Sequence, residues 1–480
     1  MKKLRVWFGA AKSRMASLCE QPHKLYLVIA LIGAFGFALI TPPFQGPDEQ
    51  AHYIRVQYTA HGHFVPVHVK TVDASLPVSV ANTLKSTFFI DDIRGKTAEK
   101  YEIGRTKQAI RQPLNPADRY QPPMVSYNFL TYLPAVPGVF IANLLNLSPV
   151  VSLYIARLSL ALAAVLISYF AIKLLPIRKY LFVAIGLLPM MLFQQAMVGT
   201  DGVSYAILML FLAYVIKLYL QTDPITRAQW IRLTLVCGAV VWSKPLLYLF
   251  LPLVAILWKK KNAWRWLVAA ATVGLLLFFA NNAMVKNAGQ YDYESGQGGV
   301  GVPENIQSEQ QLNHLKQDPK RGLRVLWNSY MTSFGDDEVR GVVGTFGAAD
   351  TLYPLWMSYA YVAIFGVIVA TSLDKKKLTI HIPSWWRWAA IGLAAVHFVA
   401  VNLAIYLTYT PLNFPIVYGV QGRYFLPTLL IIALALCLGR GIELKEKDRR
   451  RVIVYASCGI FIMVLFALFV TFQRYFMYTP

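Results

Sequence analysis

Eleven stretches of this chain are apolar over lengths near that of a membrane helix, and they recur from close to the N-terminus almost to the C-terminus. A hydrocarbon core about 30 Å thick asks for roughly 20 apolar residues per helical crossing and leaves no unpaired backbone inside it. Repetition on this scale dictates an all-α integral membrane protein. The runs fall at about 24–41, 149–172, 180–199, 203–220, 230–242, 246–258, 264–283, 352–372, 386–408, 424–439 and 452–473. Hydrophobic residues make up 56% of the 480 and charged ones 15%, so one integrated bundle of about 11 transmembrane helices is the simpler reading than several soluble domains.

The net charge of +22 comes from Lys and Arg dispersed in short segments between the runs. No single groove-sized basic stripe forms, which argues against nucleic-acid binding. The pattern fits basic loops retained in the cytoplasm: an N-terminus placed inside puts 173–179, 227–232, 259–265, 375–377 and 440–451 all on that side. Residues 1–23 carry five Lys and Arg and lead into the first run without a convincing cleavage site, so they read as the basic cytoplasmic start of an uncleaved signal anchor. Cys19, Cys237, Cys437 and Cys458 suggest neither a disulfide framework nor a metal spacing.

Two stretches bear on the count. The run 124–147 contains Pro134, Pro137 and Gly138, and a crossing there would put the basic loops outside, so it is expected as a re-entrant or interfacial helix pair. Ser243-Lys244-Pro245 breaks 230–258 into a hairpin of two short helices with Lys244 at its tip. Two long extracytoplasmic loops result, about 42–123 and 284–351, with a shorter one at 409–421. The second is rich in Gly, Gln and Asn around Gly289 to Gly301 and then reads as a helix from Ile306 to Met331 broken at Pro319, a form suited to a lid or acceptor-binding loop.

The polar residues with chemical interest lie at the outer ends of the runs. Asp48 and Glu49 follow Pro47 where the chain leaves the first run. They can cap a helix N-terminus, or one can take a proton from a sugar hydroxyl at the water-lipid boundary. Asp201 stands at a mouth between two runs, as a cap or as a functional acid. Lys244 either snorkels or binds a lipid phosphate. Arg157 lies about eight residues into its run and needs an anionic partner. Arg423, after Gln421 and Gly422 and beside Tyr424, can grip a phosphate or anchor at the interface. His52, His61, His63 and His68 cluster in the first loop at spacings that match no standard metal pattern, and Asp336-Asp337-Glu338 reads as solvated surface. No nucleotide-binding glycine motif and no Gly-x-Ser-x-Gly elbow occurs.

Three stretches, Pro42-Pro43-Phe44-Gln45-Gly46-Pro47-Asp48-Glu49-x-Ala51-His52, Leu188-Pro189-Met190-x-x-Phe193-Gln194 through Asp201, and Gly419-Val420-Gln421-Gly422-Arg423-Tyr424-Phe425-x-Pro427, resemble a bacterial membrane family known as domain of unknown function 2142. The resemblance covers about residues 24–440. It implies an architecture similar to the GT-C glycosyltransferases, which transfer a sugar from a polyprenyl-phosphate carrier on the outer face of the membrane. On that resemblance Asp48, Glu49 and Asp201 are the expected catalytic acids, and Arg157, Lys244, Gln421 and Arg423 the expected residues for the donor lipid phosphate. A divalent cation, Mg or Mn, on Glu49 and His52 is the one cofactor it raises. Pro122-Pro123 match the Pro-Pro that usually follows the first loop, whereas Arg119-Tyr120-Gln121 before it take no catalytic assignment.

The expectation is thus a GT-C-like catalytic module over 24–440, then a basic loop and last helix over 441–480, in a bacterial plasma membrane. Its partners would be a polyprenyl-phosphate sugar and a glycan, lipid-linked or protein acceptor hydroxyl. A flippase for lipid-linked saccharides and a glycan ligase or polymerase are the alternatives.

Overall fold

Each of the eleven apolar runs folds as helix in a computed structural model that describes residues 17–64, 75–87, 101, 103–115, 117–120, 127–287, 305–333, 336–374, 382–439 and 441–477. Residues 1–16, His68, Gln121 to Pro123, the glycine-rich segment from Gly289 to Gly301, Lys375 to Lys377 and Arg440 lie outside these, as do the side chains of Asp336 and Asp337.

The first span, α1 (Pro22–Ile40), leads through a turn into α2 (Glu49–Ala60). Helices α3 (Val78–Thr87) and α4 (Ile103–Ile110) lie beside a two-stranded antiparallel ladder of β1 (Leu76–Pro77) and β2 (Arg119–Tyr120). A 3₁₀ turn (Leu130–Tyr132) and α5 (Val136–Leu144) follow. At ~1.5 Å per residue α5 is only about 14 Å long, too short by itself to cross a hydrocarbon core.

Helix α6 (Pro149–Leu174) starts where the Ser148 side chain accepts from the Val151 N–H and Pro149 takes the first helical position. A bent pair, α7 (Lys179–Gly186) and α8 (Pro189–Ala196), meets at 63° at the break before Pro189. Helix α9 (Asp201–Leu220) is the most enclosed span, 72% buried, and packs on α6, which packs on α1. Helix α10 (Arg227–Ser243) opens with a capping box between Thr226 and Gln229 and ends at Ser243-Lys244-Pro245. The next run is a 3₁₀ helix, Leu247–Leu257, and the break expected at Lys244 is therefore present.

Helix α11 (Ala263–Asn287) is peripheral, its apolar window only 17% buried. Helices α12 (Ser308–Gln317), α13 (Pro319–Ser333) and α14 (Asp336–Val343) occupy the expected second loop, with the break before Pro319. The hairpin of β3 (Thr345–Phe346) and β4 (Thr351–Leu352) seats Phe346 against Phe37 and Phe193, at ring distances of 5.0 and 5.4 Å. Helices α15 (Leu355–Ala370), α16 (Ser384–Thr408), α17 (Leu426–Cys437) and α18 (Glu446–Phe472) complete the bundle. At the end opposite Asp201, β5 (Thr371–Ser372) pairs in parallel with β6 (Ile442–Glu443), and Asp374 accepts from the Arg178 backbone at 2.9 Å.

Among the described residues six helices are long and apolar enough to cross a membrane, or seven with the bent pair as one span; Leu247–Leu257, Leu355–Ala370 and Gly422–Cys437 are shorter apolar helices. By length and composition these make six or seven candidate crossings, fewer than the eleven apolar runs. Locally, Pro189 bends one run, Pro252 lies in a 3₁₀ stretch and a 3₁₀ turn opens Gly422–Cys437.

Gly202 lets α9 begin against the end of α8: a Cβ there would lie 2.5 Å from Gln195 Cα and 2.6 Å from the Gln194 carbonyl oxygen. Backbone cannot yield as a side chain can, so Gly202→Val should destabilise the protein by about 1–3 kcal/mol or more. Thermal unfolding in detergent should show this, with Gly366→Ala, whose Cβ enters open space, unchanged.

Candidate functional site

The adjacent acids Asp48 and Glu49 have opposite fates. Glu49, fully buried, takes both ends of the Arg157 fork, Nε to Oε1 at 2.7 Å and Nη2 to Oε2 at 2.5 Å. Arg157 gives its remaining N–H groups to the carbonyls of Ala38 (3.0 Å), Thr41 (2.5 Å) and Pro42 (2.8 Å). All five donors of the guanidinium are therefore used, and none is left for a phosphate. Glu49 also accepts from the Val198 N–H at 3.0 Å and the Gly46 N–H at 3.3 Å. Bidentate pairing of this kind repays burial only when the remaining groups are satisfied, as they are here. The pair ties the end of α1, the start of α2, the middle of α6 and the turn before α9 into one knot. Glu49 and Arg157, expected as a catalytic acid and a phosphate-binding cation, thus engage each other and the backbone around them.

Asp48 turns the other way. Its backbone adopts the left-handed region, φ 55°, at the N-cap of α2, and its side chain makes no capping hydrogen bond. Left-handed backbone is uncommon for a residue with a side chain, and here it aims the carboxylate away from the helix it precedes. The carboxylate is 71% exposed and reaches Arg423 Nη2 at 3.5 Å.

Arg423 connects to the second acid: its Nε lies 3.8 Å from Asp201 Oδ2, and Asp201 Oδ1 forms an ion pair with Lys244 Nζ. Asp48, Arg423, Asp201 and Lys244 thus alternate in sign, from four separate segments. Folding favours two of them locally. Asp201 opens α9 and Lys244 closes α10, so each charge sits at the helix end whose dipole it complements. Tyr205, one turn beyond Asp201, donates to the Arg423 carbonyl at 3.1 Å, and Lys244 lies over the Tyr205 and Tyr424 rings at 5.4 and 5.2 Å. Arg423 is 3% exposed, and its Nε is buried without a hydrogen-bond partner among the described residues. A buried guanidinium N–H without an acceptor marks a place for a further anionic oxygen.

Gly422 positions Arg423, because a Cβ there would stand 2.3 Å from the Gly341 carbonyl carbon of α14. Gln421 enters through its backbone, its carbonyl accepting from the Tyr424 N–H at 3.0 Å to open the 3₁₀ turn Gly422–Phe425. His52 is buried, with Nδ1 2.6 Å from the Tyr132 hydroxyl. Burial pushes its imidazole below the usual value, opposed by Asp48 and Asp201 and aided by Arg423 and Lys244. A divalent cation on Glu49 and His52 does not fit, since both Glu49 oxygens are already engaged, and among the described residues no three His, Cys, Asp or Glu side chains form a metal-binding group. A cavity of about 600 Å³ lies away from the cluster, between the C-terminal part of α2 and α5, lined by His61, Phe64, Phe140 and Leu144 among others.

Sequence reasoning had missed Tyr205 and Tyr132. The i, i+4 spacing of Asp201 and Tyr205 on one helix face was the signal for the first. Tyr132 meets His52 across 80 residues of sequence, and nothing local announces it.

Glu49→Gln and Arg157→Met should each cost roughly 3–5 kcal/mol by leaving a buried partner unpaired, and the double variant should lose less than their sum; thermal unfolding of the three proteins measures it. Stability should also fall as pH drops below about 6.5, because His52 in the unfolded chain takes up a proton that the folded site resists. His52→Gln should flatten that part of the stability–pH profile.

No curated protein and no solved structure matches the chain. The model of one family, described as predicted membrane protein (DUF2142), matches residues 31–432, a range that holds every residue of the cluster. The chain belongs to the DUF2142 family of predicted membrane proteins.

Proposed function

We propose that this protein is a membrane glycosyltransferase that moves a sugar from a polyprenyl-phosphate donor to an acceptor hydroxyl at the extracytoplasmic face. The observation that carries the reading is the alternating cluster of Asp48, Arg423, Asp201 and Lys244, with one exposed carboxylate and one buried guanidinium N–H lacking an acceptor among the described residues. The cluster lies at the end of the bundle opposite Arg227 and Lys260, whose Nζ donates to the Gln221 carbonyl at 2.7 Å, and by the positive-inside rule this supports the outward-facing reading. Nucleotide sugars are confined to the cytoplasm, which makes a carrier lipid the suitable donor there.

In this reading the acceptor oxygen attacks the anomeric carbon from the face opposite the phosphate, inverting the centre. As the new C–O bond forms, the bond to the phosphate oxygen breaks and its electron pair leaves with the polyprenyl phosphate. Asp48 takes the hydroxyl proton, and its exposure keeps it within reach of an incoming acceptor. Arg423 and Lys244 offset the charge that develops on the leaving phosphate, held in position by Asp201.

The test is transfer of radiolabelled sugar from defined polyprenyl-phosphate donors in proteoliposomes. Asp48→Asn should lower turnover by about 10²-fold or more with unchanged thermal unfolding, and wild-type turnover in that variant would overturn the reading. Arg423→Lys should raise the KM for the donor, because an ammonium loses the two-pronged grip on phosphate.

A further inference from the structure

The segment expected as an outer lid or acceptor-binding loop contains a helix with an exposed apolar stripe that lies along a candidate membrane span. Its first turn is level with the loop beyond α16, where Arg321 Nη2 donates to Asn413 Oδ1 at 2.8 Å. Further along, Val325 packs with Tyr406 and Val417. One turn later the Tyr330 hydroxyl donates to Asn402 Oδ1 at 2.8 Å, and its ring lies 5.0 Å from that of Phe398. Helix α13 therefore runs antiparallel to α16, from beyond its end back along it.

Helix α16, Ser384–Thr408, is long and apolar enough to cross a membrane. At ~1.5 Å per residue Asn402 lies about 9 Å inside its end and Phe398 about 15 Å. Those depths fall within one leaflet of a ~30 Å hydrocarbon core.

The outward face of α13 matches that depth. Leu323, Trp327 and Met331, spaced four apart on one stripe, are 69%, 65% and 57% exposed. The lipid-facing side of α16 itself is exposed in the same way at Val396, Val399 and Leu403. Lys320, Arg321 and Arg324 stand in the first turns of α13, where the helix leaves the apolar zone. Basic residues at the headgroup level followed by an apolar stripe with a Trp form the surface that a bilayer interface accepts.

We infer that α13 dips into the leaflet at the site end and packs its Leu323-Trp327-Met331 stripe against lipid acyl chains. The second loop is then a membrane-embedded element rather than a soluble lid. It leads into α14, whose Gly341 touches Gly422 beside Arg423. A lipid-anchored substrate can thus approach that side without leaving the bilayer.

The full-length protein in phosphatidylglycerol–phosphatidylcholine vesicles, carrying the photoreactive residue benzoylphenylalanine at one position at a time, tests this. Positions 323, 327 and 331 should give lipid adducts by mass spectrometry several-fold above positions 320 and 324, and equal yields at all five would overturn the inference. A charged, water-soluble maleimide should label Lys320→Cys far more than Met331→Cys in the same vesicles. Both positions lie on one side of the membrane, so the ratio does not depend on vesicle orientation, and a ratio near one would also overturn it.

Discussion

A bidentate ion pair without access to water, Glu49 with Arg157, is the constraint on which the candidate site depends. Charge in a bundle of apolar helices is tolerated only when every donor and acceptor around it is used. Here that requirement is met by backbone: three carbonyls at the end of α1 take the spare N–H groups of Arg157, and two amides serve Glu49. Because the partners are backbone, the pair fixes chain paths rather than side-chain positions. The turn that carries Asp48 and the turn that leads into Asp201 are both anchored to it, through Gly46 and Val198.

That anchoring separates two functions which the sequence writes side by side. One acid is paired inside the bundle and its neighbour, itself in the left-handed backbone region, is left facing water. The remaining charges arrive by other routes, Asp201 and Lys244 on the facing ends of two antiparallel helices and Arg423 on a 3₁₀ turn held by a close glycine contact. Four charges that sum to zero then occupy one end of the bundle, while Arg178, Arg227 and Lys260 stand at the other.

Much of this was legible in the sequence, for physical reasons that vary by element. The apolar runs at 149–172 and 203–220 gave the helices Pro149–Leu174 and Asp201–Leu220 almost to the residue, because Ser148-Pro149 and Asp201 are start signals and the runs are uninterrupted. The break at Ser243-Lys244-Pro245 was visible for the same kind of reason. The local shape of the runs was less legible, since Pro189 bends one of them and Pro252 lies in a 3₁₀ stretch that composition alone reads as a full span. At the site, the need of Arg157 for an anion was plain from its depth, but its partner was not. Nothing local couples residue 157 to residue 49 across 108 positions, and a substrate phosphate satisfied the sequence equally well.

The contact between Gly422 and Gly341 carries one more implication. Side chains between packed elements act as padding that absorbs small displacements by changing rotamer. Where backbone meets backbone there is no padding, and any shift of α14 is passed undiminished to the turn that holds Arg423. The guanidinium is in this sense geared to α14, and the register of that short helix sets where an anionic oxygen can be gripped.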